Sequence, residues 1–527
     1  MVKFWIDDIA SKVVERESRL KRNLEVLRVE AGIGASGIPH IGSVGDAIRA
    51  YGVKLGIEDL GCKSELIAYS DDRDGLRKVP AGMPSWLKDH LGKPVTDIPD
   101  PFKCHSSYGE HMSSLLIDAL DRLGVEYKFI SGTEAYRSGL LDEQIHKILV
   151  NYERVMRIVR EMVGSSKPED WIPYWPVCEN CGRIYTTHAY KLLPDERKVL
   201  YKCEWSFKNV EGCGYEGEAS YVHGNGKLPW KGEFAARWAA LGVVFEARGK
   251  DIDESFKVNM KICREILEFE PPLSILYEVF LDKSGRKISK SRGEVFTPQD
   301  WLEYAPPETL RYLMYKRFQG TRTLSIEDIP YYIIELEDML RKYWNLESIK
   351  NERERINTKR IVEYTFNLKK VPKPSPVSFS TVLNVVRMMP WSLADEETLK
   401  REVARILSKY YSVPLNEILG DDYTSRMIEY AKKYFQSVEG GVVEKVKLEP
   451  PVENAIKTFV EKLRPDMGGE KIQDLIFHVA REKGVKPAEM FKALYILIIG
   501  RNRGPRLGPL IAGIGVNRVK SLISRKI

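Results

Sequence analysis

The chain has no long apolar segment. Nowhere do about 18 apolar residues follow one another, so a membrane-spanning helix is not expected. The N-terminal stretch MVKFWIDDIASKVVERESRL carries acids early and lacks the apolar core of a signal peptide. We therefore expect a cytoplasmic protein without a membrane partner.

Cysteine is scarce. The chain contains seven cysteines, and an odd number without a secretion signal argues against a disulfide framework. Four of them follow the pattern Cys178-x2-Cys181-x21-Cys203-x9-Cys213, which is typical of a zinc ion held by four thiolates. The second pair is more widely spaced than in a compact zinc knuckle. We predict a structural zinc site in this segment.

Histidine is also scarce for a chain of this length, with eight residues. Two of them lie beside a cysteine and an aspartate in the stretch DIPDPFKCHSSYGEH. The side chains of Asp100, Cys104, His105 and His111 supply oxygen, sulfur and nitrogen ligands within twelve residues. The alternative interpretation is a loop with scattered polar residues.

The opening of the chain predicts a parallel sheet. The stretch LEVLRVE, residues 24–30, predicts a strand, residues 40–56 predict a helix, and ELIAYSDD from residue 65 predicts the next strand. This β-α-β order is typical of a sheet with a ligand crevice at its strand ends. The chain shows no internal repeat, and its 527 residues are too many for one hydrophobic core.

The rest of the chain changes character twice. Residues 171–222 are rich in Cys, Gly, Trp and Tyr and predict short strands around a metal. Strand and helix patterns resume near residue 228, and helical periodicity dominates from residue 306 onward. We predict an α/β fold: a split Rossmann-type parallel sheet with a zinc-containing insertion, followed by an all-α C-terminal half. The net charge of +7 is compatible with an RNA partner but does not require one.

Two phosphate-binding patterns overlap in VEAGIGASGIPHIGSVGDAIRA, residues 29–50. Gly32, Gly34 and Gly37 spell G-x-G-x-x-G, the dinucleotide fingerprint, whereas His40 begins the tetrapeptide HIGS. A dinucleotide site needs a helix that starts within the glycines and an acid at the end of the second strand. The glycine pattern alone is therefore weak support for a dinucleotide.

The residues around the glycines favour the other pattern. Pro39 suits the first turn of a helix, so the helix should start at residue 39 or 40, beyond the glycines. The acids about 20 residues further on, Glu58 and Asp59, precede the second strand rather than ending it. We therefore predict a phosphate held by His40 at the helix N-terminus, with the glycines allowing the ligand to approach the backbone closely.

A basic stretch late in the chain supports this choice. KISKS, residues 287–291, offers Lys287 and Lys290 between Gly285 and Gly293, where two ammonium groups can clasp a polyphosphate. HIGS after the first strand, followed about 250 residues later by KISKS after a late strand, is a specific pair. It resembles the HIGH and KMSKS signatures of the class I aminoacyl-tRNA synthetases.

The resemblance implies a mechanism in which ATP binds with Mg²⁺ beneath the HIGS segment and an amino-acid carboxylate attacks the α-phosphate. His40 would stabilise charge on the transferring phosphorus, and Lys287 and Lys290 would stabilise the β- and γ-phosphates. These three are the predicted catalytic residues. The predicted contacts of ATP are Gly37, Pro39, His40, Gly42, Ser43, Lys287, Ser289 and Lys290. Ser43 replaces the last His of HIGH, so one polar contact is altered.

Four longer stretches narrow the resemblance: SDDRDGLRKVP, PDPFKCHSSYGEH, KLPWKGEFAARWAALGVVFEARGKD and ALYILIIGRNRGPRLGPLIAGIG. Together they resemble the class I lysyl-tRNA synthetases of archaea and some bacteria, which are kin to glutamyl-tRNA synthetases. That family carries an Asp/Cys/His/His metal site, which favours a second structural zinc ion. The resemblance also implies L-lysine and tRNA(Lys) as substrates, and we expect a monomer.

The same resemblance predicts the domain organisation. The Rossmann domain comprises residues 1–72 and 225–305, the second half carrying KISKS, and residues 73–224 form the zinc-containing insertion between them. Residues 306–360 form a helical region that contacts the tRNA stem. Residues 361–527 form an α-helical cage that reads the anticodon.

The chain departs from the family pattern around the amino acid. The family usually reads Trp-Arg-Val-Asp-Trp where this chain has Lys231, Gly232 and Glu233 after Trp230, and Ile252 replaces a His after GKD. Either Glu233 and Asp251 substitute for the missing groups, or the pocket is altered. The predicted lysine contacts are Gly32, Gly34, Trp230, Glu233 and Tyr277, and the alternative for the last three is core packing and surface charge.

Two rival functions remain open from the sequence. One is a glutamyl or glutaminyl synthetase of the same class, which needs a cation where a lysyl enzyme needs a carboxylate. The other is a non-catalytic tRNA-binding relative, which has no need of His40, Lys287 and Lys290.

Overall fold

The computed structural model describes residues 3–22, 25–165, 167–278, 280–285, 296–316, 321–389, 396–439, 448–524 and 526–527. The chain forms two compact units. The first unit comprises Met1–Trp301, Pro307–Ser325 and Leu346–Val371, and the second comprises Leu302–Pro306, Ile326–Asn345 and Pro372–Ile527. Among the described residues, no helix is both long enough and apolar enough to cross a bilayer.

The first unit is built around a parallel sheet of four strands: β1 (Leu27–Ile33), β2 (Ser64–Ser70), β3 (Lys128–Ser131) and β4 (Val243–Glu246). Their order across the sheet is β3-β2-β1-β4, and every pairing is parallel. β1 and β2 lie in the middle and are mostly buried, as expected for strands covered by helices on both faces. The predicted α/β fold with a Rossmann-type parallel sheet is confirmed.

A fifth strand position extends the sheet beyond β4. Phe245 forms a parallel bridge with Leu273, and Arg248–Gly249 pairs in parallel with Leu276–Tyr277. The resulting order 3-2-1-4-5 is that of the doubly wound nucleotide-binding folds, in which ligands bind outside the carboxyl ends of the strands.

The segment 73–224, predicted as an insertion, contributes to this sheet. β3 lies within it and pairs with β2, with Ile67 opposite Lys128 and Ser70 opposite Ser131. The strand is only four residues long, lies at the sheet edge and exposes its first two residues. Such an edge strand lacks the apolar run by which buried parallel strands are recognised in a sequence.

The remaining strands of the first unit form smaller sheets. A three-stranded antiparallel sheet lies in the four-cysteine segment, residues 171–222, and ends one strand at Cys203: Thr187–Leu193, Lys198–Cys203 and Glu216–Ser220. Two further pairs are Trp175–Pro176 with Gly226–Lys227, and Phe280–Leu281 with Arg322–Thr323. The short strands predicted for residues 171–222 are therefore present.

The helices of the first unit are Trp5–Leu20, Val44–Asp59, Tyr108–Arg122, Gly132–Arg137, Asp142–Val150, Tyr152–Val163, Trp230–Leu241, Asp253–Glu265, Pro307–Tyr315 and Glu352–Thr365. The helix Val44–Asp59 follows a 3-10 turn at Ile41–Ser43 and is buried along most of its length. It begins about four residues later than Pro39 predicts, because the 3-10 turn separates them.

Among its described residues the second unit contains helices and no strand, as predicted for an all-α C-terminal half. Its helices are Ile329–Tyr343, Phe379–Val386, Glu396–Tyr411, Leu415–Gly420, Asp422–Ser437, Pro450–Lys462, Gly469–Glu482, Pro487–Ile499, Leu507–Ile514 and Val516–Ser524. The helix Pro298–Tyr304 begins in the first unit and ends in the second. Pro450 and Pro487 start their helices, where a proline costs no hydrogen bond.

Candidate active site

A cavity of about 300 Å³ opens at the carboxyl end of the parallel sheet. Its walls come from the segments that follow β1, β2 and β4 and from the start of the helix Trp230–Leu241. The lining residues are Gly32, Gly34, Ala35, Ser36, His40, Gly42, Ser43, Asp46, Asp71, Asp74, Trp230, Phe234, Arg237, Glu246, Ala247, Asp251, Ile252, Tyr277, Glu278 and Phe280. The structure thus brings residues predicted for ATP and residues predicted for lysine into one cavity.

His40 lies at one end of this cavity and caps the 3-10 turn Ile41–Ser43. The backbone N–H of Gly42 donates to Nδ1 of His40 at 3.1 Å. A neutral imidazole whose Nδ1 accepts a hydrogen bond carries its proton on Nε2. The turn therefore presents His40 as a donor through Nε2, which is the form that a phosphate oxygen requires.

The residues around His40 fix this arrangement. The Ser43 hydroxyl accepts the backbone N–H of His40 at 3.2 Å, so the serine that departs from the HIGH pattern completes the cap of the turn. A Cβ added at Gly42 would lie 3.0 Å from the imidazole of His40. The glycine of the motif thus leaves room for the ring beside the backbone.

Not all predicted ATP contacts line the cavity. Gly37 and Pro39 are buried in the segment that leads to His40 and are not among the lining residues. Lys287, Ser289 and Lys290 fall in residues 286–295, outside the part of the chain that the structure describes.

A buried ion cluster forms the floor of the cavity. The guanidinium of Arg237 contacts Asp71 at 2.9 Å, Glu30 at 2.8 Å and Glu246 at 3.6 Å. Arg237 is 1% exposed and lies between the rings of Tyr69 and Phe234. One guanidinium therefore serves three carboxylates.

The three carboxylates of the floor have raised pKa values. Burial raises the pKa of Asp71 and of Glu246 to about 7, although Arg237 lowers both. Burial also raises the pKa of Glu30 to about 8. For Arg237, burial opposes the charge, but the surrounding carboxylates raise its pKa above the ordinary value. The floor consequently prefers a further positive charge.

A second buried group of charges, one lysine with two carboxylates, lies next to the floor. The ammonium of Lys227 contacts both Asp74 and Glu233, the latter at 2.7 Å. Burial alone would lower the pKa of Lys227, but these two carboxylates raise it above its ordinary value. Trp230 donates from Nε1 to Asp74 at 3.1 Å, which places its indole along the cavity wall.

The structure places Glu233 differently from the sequence prediction. Glu233 is 1% exposed and does not line the cavity, because its carboxylate contacts Lys227 and accepts the Tyr136 hydroxyl at 3.1 Å. Gly32, Gly34, Trp230 and Tyr277 do line the cavity, as does Ile252. The helix backbone is not helical at Lys231 and Gly232, so spacing along this segment is a poor guide to side-chain direction.

Three charged residues that line the cavity were not predicted from the sequence: Asp71, Asp74 and Arg237. The stretch SDDRD after β2 carried a signal, since polar groups at the carboxyl end of a parallel strand point towards the ligand crevice. Arg237 carried none, because it lies in an apolar helical stretch and its partners are distant in the chain.

The four cysteines of the predicted zinc site converge. Cys178 Sγ lies 3.6 Å from Cys213 Sγ, and Cys181 Sγ lies 3.7 Å from Cys203 Sγ. All four sulfur atoms lie within 4.8 Å of one another. Four thiolates around a tetrahedral zinc ion at about 2.3 Å stand about 3.8 Å apart. The cluster can therefore hold zinc.

The second predicted cluster also converges. Cys104 Sγ lies 3.2 Å from Nδ1 of His105 and 3.2 Å from Nδ1 of His111, and an Asp100 oxygen lies 3.4 Å from the sulfur. These separations suit ligands of one tetrahedral ion. Burial would raise the pKa of Asp100, but backbone N–H groups, including those of Cys104 and His105, donate to its carboxylate and lower the pKa to about 2.

Residues 3–367 match the family described as tRNA synthetases class I (K), and the chain belongs to this family. The chain is also similar to individual members along its whole length. It is 43% identical to the lysine–tRNA ligase of Cenarchaeum symbiosum, with 99% of this chain and 98% of the relative covered. It is 31% identical to the lysine–tRNA ligase of Rickettsia bellii, with 100% and 98% covered.

Proposed function

We propose that this chain activates L-lysine with ATP and transfers it to tRNA(Lys), releasing AMP and pyrophosphate. The observation that carries the choice of lysine is the charge of the cavity. Among the described lining residues, six are carboxylates and one is a guanidinium: Asp46, Asp71, Asp74, Glu246, Asp251 and Glu278 against Arg237. An excess of carboxylates in the cavity attracts a cationic side chain and repels glutamate.

The ε-ammonium of lysine fits best against Asp71. This carboxylate lines the cavity, and its partner Arg237 is shared with Glu30 and Glu246. Asp74 is already neutralised by Lys227, so it offers less to a second ammonium. The indole of Trp230 supplies an apolar wall for the aliphatic stem.

ATP occupies the other end of the cavity. His40 donates from Nε2 to the α-phosphate while the lysine carboxylate attacks that phosphorus, giving lysyl-adenylate and pyrophosphate. Mg²⁺ accompanies the nucleotide, and Lys287 and Lys290 neutralise the departing phosphates. A tRNA hydroxyl then attacks the lysyl carbonyl and displaces AMP. The rate arises from positioning and from charge stabilisation at phosphorus.

The C-terminal half completes the proposal, with residues 306–360 as a stem-contact region and residues 361–527 as an anticodon-reading cage. We expect a cytoplasmic monomer. The binding of tRNA to these helices should weaken as the salt concentration rises, because contacts with the RNA phosphates contribute to the affinity.

The amino-acid choice is tested by ATP–pyrophosphate exchange with each of the twenty amino acids, with and without tRNA. We expect lysine to drive exchange, and glutamate and glutamine to be inactive. Ornithine and arginine serve as cationic controls of different length and shape, which separate selection for charge from selection for fit. Exchange driven by glutamate would contradict the proposal while leaving the class I chemistry in place.

Two zinc ions per chain are the expected metal content, one in each cluster. Cys181→Ser should lose one ion and Cys104→Ser the other, because a structural site that loses one of four ligands binds zinc far more weakly. Cys62 belongs to neither cluster, so Cys62→Ser should retain both ions. Elemental analysis of the purified proteins makes the measurement. A full-length protein with one ion, unchanged in Cys104→Ser, would remove the second site.

A further inference from the structure

The four-cysteine segment, residues 171–222, contacts the loop that carries part of the cavity wall after β2. Its first cysteine pair forms a turn, with Gly182 N–H donating to Cys178 O at 2.8 Å and Cys178 N–H donating to Arg183 O at 2.9 Å. The next residues leave this turn and pack against the loop that follows β2, and Ile184 N–H donates to Gly92 O at 2.8 Å. This contact links the four-cysteine segment to the parallel-sheet part of the first unit.

Tyr185 makes the main contact with that loop. It is buried, and its hydroxyl accepts the backbone N–H of Gly75 at 3.1 Å and the Nε–H of Arg77 at 3.3 Å. A Cβ added at Gly75 would lie 2.7 Å from the Tyr185 ring, so the loop lies directly against it. Trp175 and Phe207 flank the ring at 5.3 Å and 4.8 Å and hold it from the other side.

The loop held by Tyr185, residues 71–77, carries two of the six cavity carboxylates, Asp71 and Asp74. Asp74 immediately precedes Gly75 and contacts Lys227 and Trp230. Arg77 lies 5.3 Å above the Trp230 ring and 3.8 Å from the Asp74 carboxylate. The Tyr185 hydroxyl thus fixes both the backbone beside Asp74 and the cation that covers Trp230.

We propose that Tyr185 is a positioning residue for the amino acid: through Gly75 and Arg77 it sets Asp74 and Trp230 at the lysine end of the cavity. This inference rests on the proposed function, because it assigns that end of the cavity to the amino acid. The four-cysteine segment consequently contributes to substrate affinity and does not serve stability alone. His40 and the ATP end lie outside this chain of contacts.

The test is Tyr185→Phe, which removes one oxygen and keeps the ring. The variant leaves a buried Gly75 N–H without its acceptor, so the KM for lysine in pyrophosphate exchange should rise about tenfold. The kcat and the KM for ATP should change by less than about twofold, because an interaction made equally in the ground and transition states alters KM alone. Zinc content and melting temperature are measured on the same samples.

Tyr201→Phe is the matched control. Tyr201 lies in the same segment, is fully buried, and its hydroxyl also accepts a backbone N–H at 3.1 Å, that of Glu179. It does not contact the loop Asp71–Arg77, so its loss should leave the KM for lysine unchanged within about twofold. Both variants should keep the same zinc content as the wild type.

Three results would overturn the inference: an unchanged KM for lysine in Tyr185→Phe, an equal rise in Tyr201→Phe, or an equal rise in the KM for ATP. A failure of the proposed function looks different, since the wild-type protein would then show no lysine-dependent exchange. In that case the same pair of variants is compared on the amino acid that the wild type activates, and the same three results apply.

Discussion

Replacing His40 with alanine should lower ATP–pyrophosphate exchange by about 100-fold or more while the protein stays folded. The loss of one donor that is aimed at developing charge typically costs about 3 kcal/mol of barrier. His40 is a donor through Nε2 because the Gly42 N–H donates to Nδ1, which leaves the imidazole proton on Nε2. The effect should appear in kcat for adenylate formation and much less in the KM for lysine.

His40 also caps the 3-10 turn, so a control must separate capping from chemistry. Serine is a good cap but is too short to reach a phosphate, and His40→Ser should therefore recover stability without recovering exchange. Thermal melts and single-turnover adenylate formation measure the two effects. Exchange near the wild-type rate in a folded His40→Ala protein would remove His40 from the chemistry and weaken the class I mechanism for this chain.

The sequence was sufficient for those parts of the site that lie close together in the chain. His40, Gly42 and Ser43 work within one turn, and each metal cluster contains ligand pairs with recognisable spacing. The parallel sheet was also predictable at β1 and β2, where apolar runs alternate with a helix. In each case a short-range pattern reflects a local geometric requirement, which is what such patterns encode.

The amino-acid end of the cavity was not predictable in the same way. Glu233 has the right charge and is close in sequence to Trp230, yet Lys227 and Tyr136 bind its carboxylate away from the cavity. Asp71 and Arg237 are 166 residues apart in the chain and meet at 2.9 Å. Pairings of this kind depend on strand order and on the helix kink at Lys231 and Gly232, which single-sequence patterns do not specify.

In the proposed function, the cluster of carboxylates around Arg237 explains why a pocket for a cation can hold an arginine. Without Arg237, the carboxylates of Glu30, Asp71 and Glu246 would take up protons still more readily. With Arg237, burial still raises their pKa values to about 7 or 8, and in the proposed function a substrate ammonium favours the ionised form. The cost of burying these charges is thus lowered by the ligand itself, which makes affinity depend on the ionisation of Asp71.

Lysine affinity should therefore fall as the pH is lowered through 7. In the free protein the pKa of Asp71 is raised to about 7 by burial, with Asp74 and Glu233 adding to the rise and Arg237 and Lys227 opposing it. Above this pH the carboxylate is ready for the ammonium, whereas below it the proton must leave first. The Kd for lysine should then rise by up to about tenfold per pH unit between pH 7 and 6, with proton release on binding.

Asp71→Asn should remove this dependence and raise the Kd for lysine about 100-fold at pH 8, because an amide cannot neutralise a buried ammonium. Titration calorimetry in two buffers of different ionisation enthalpy measures both the Kd and the protons released. Asp72→Asn is the matched control, since Asp72 is the next residue, is buried, and accepts Thr133 N–H at 2.7 Å away from the cavity lining. It should bind lysine as the wild type does.

An Asp71→Asn protein with wild-type affinity and pH dependence would contradict the placement of the ammonium against Asp71. The ammonium would then have to lie against Glu246, the other lining carboxylate whose pKa burial raises to about 7.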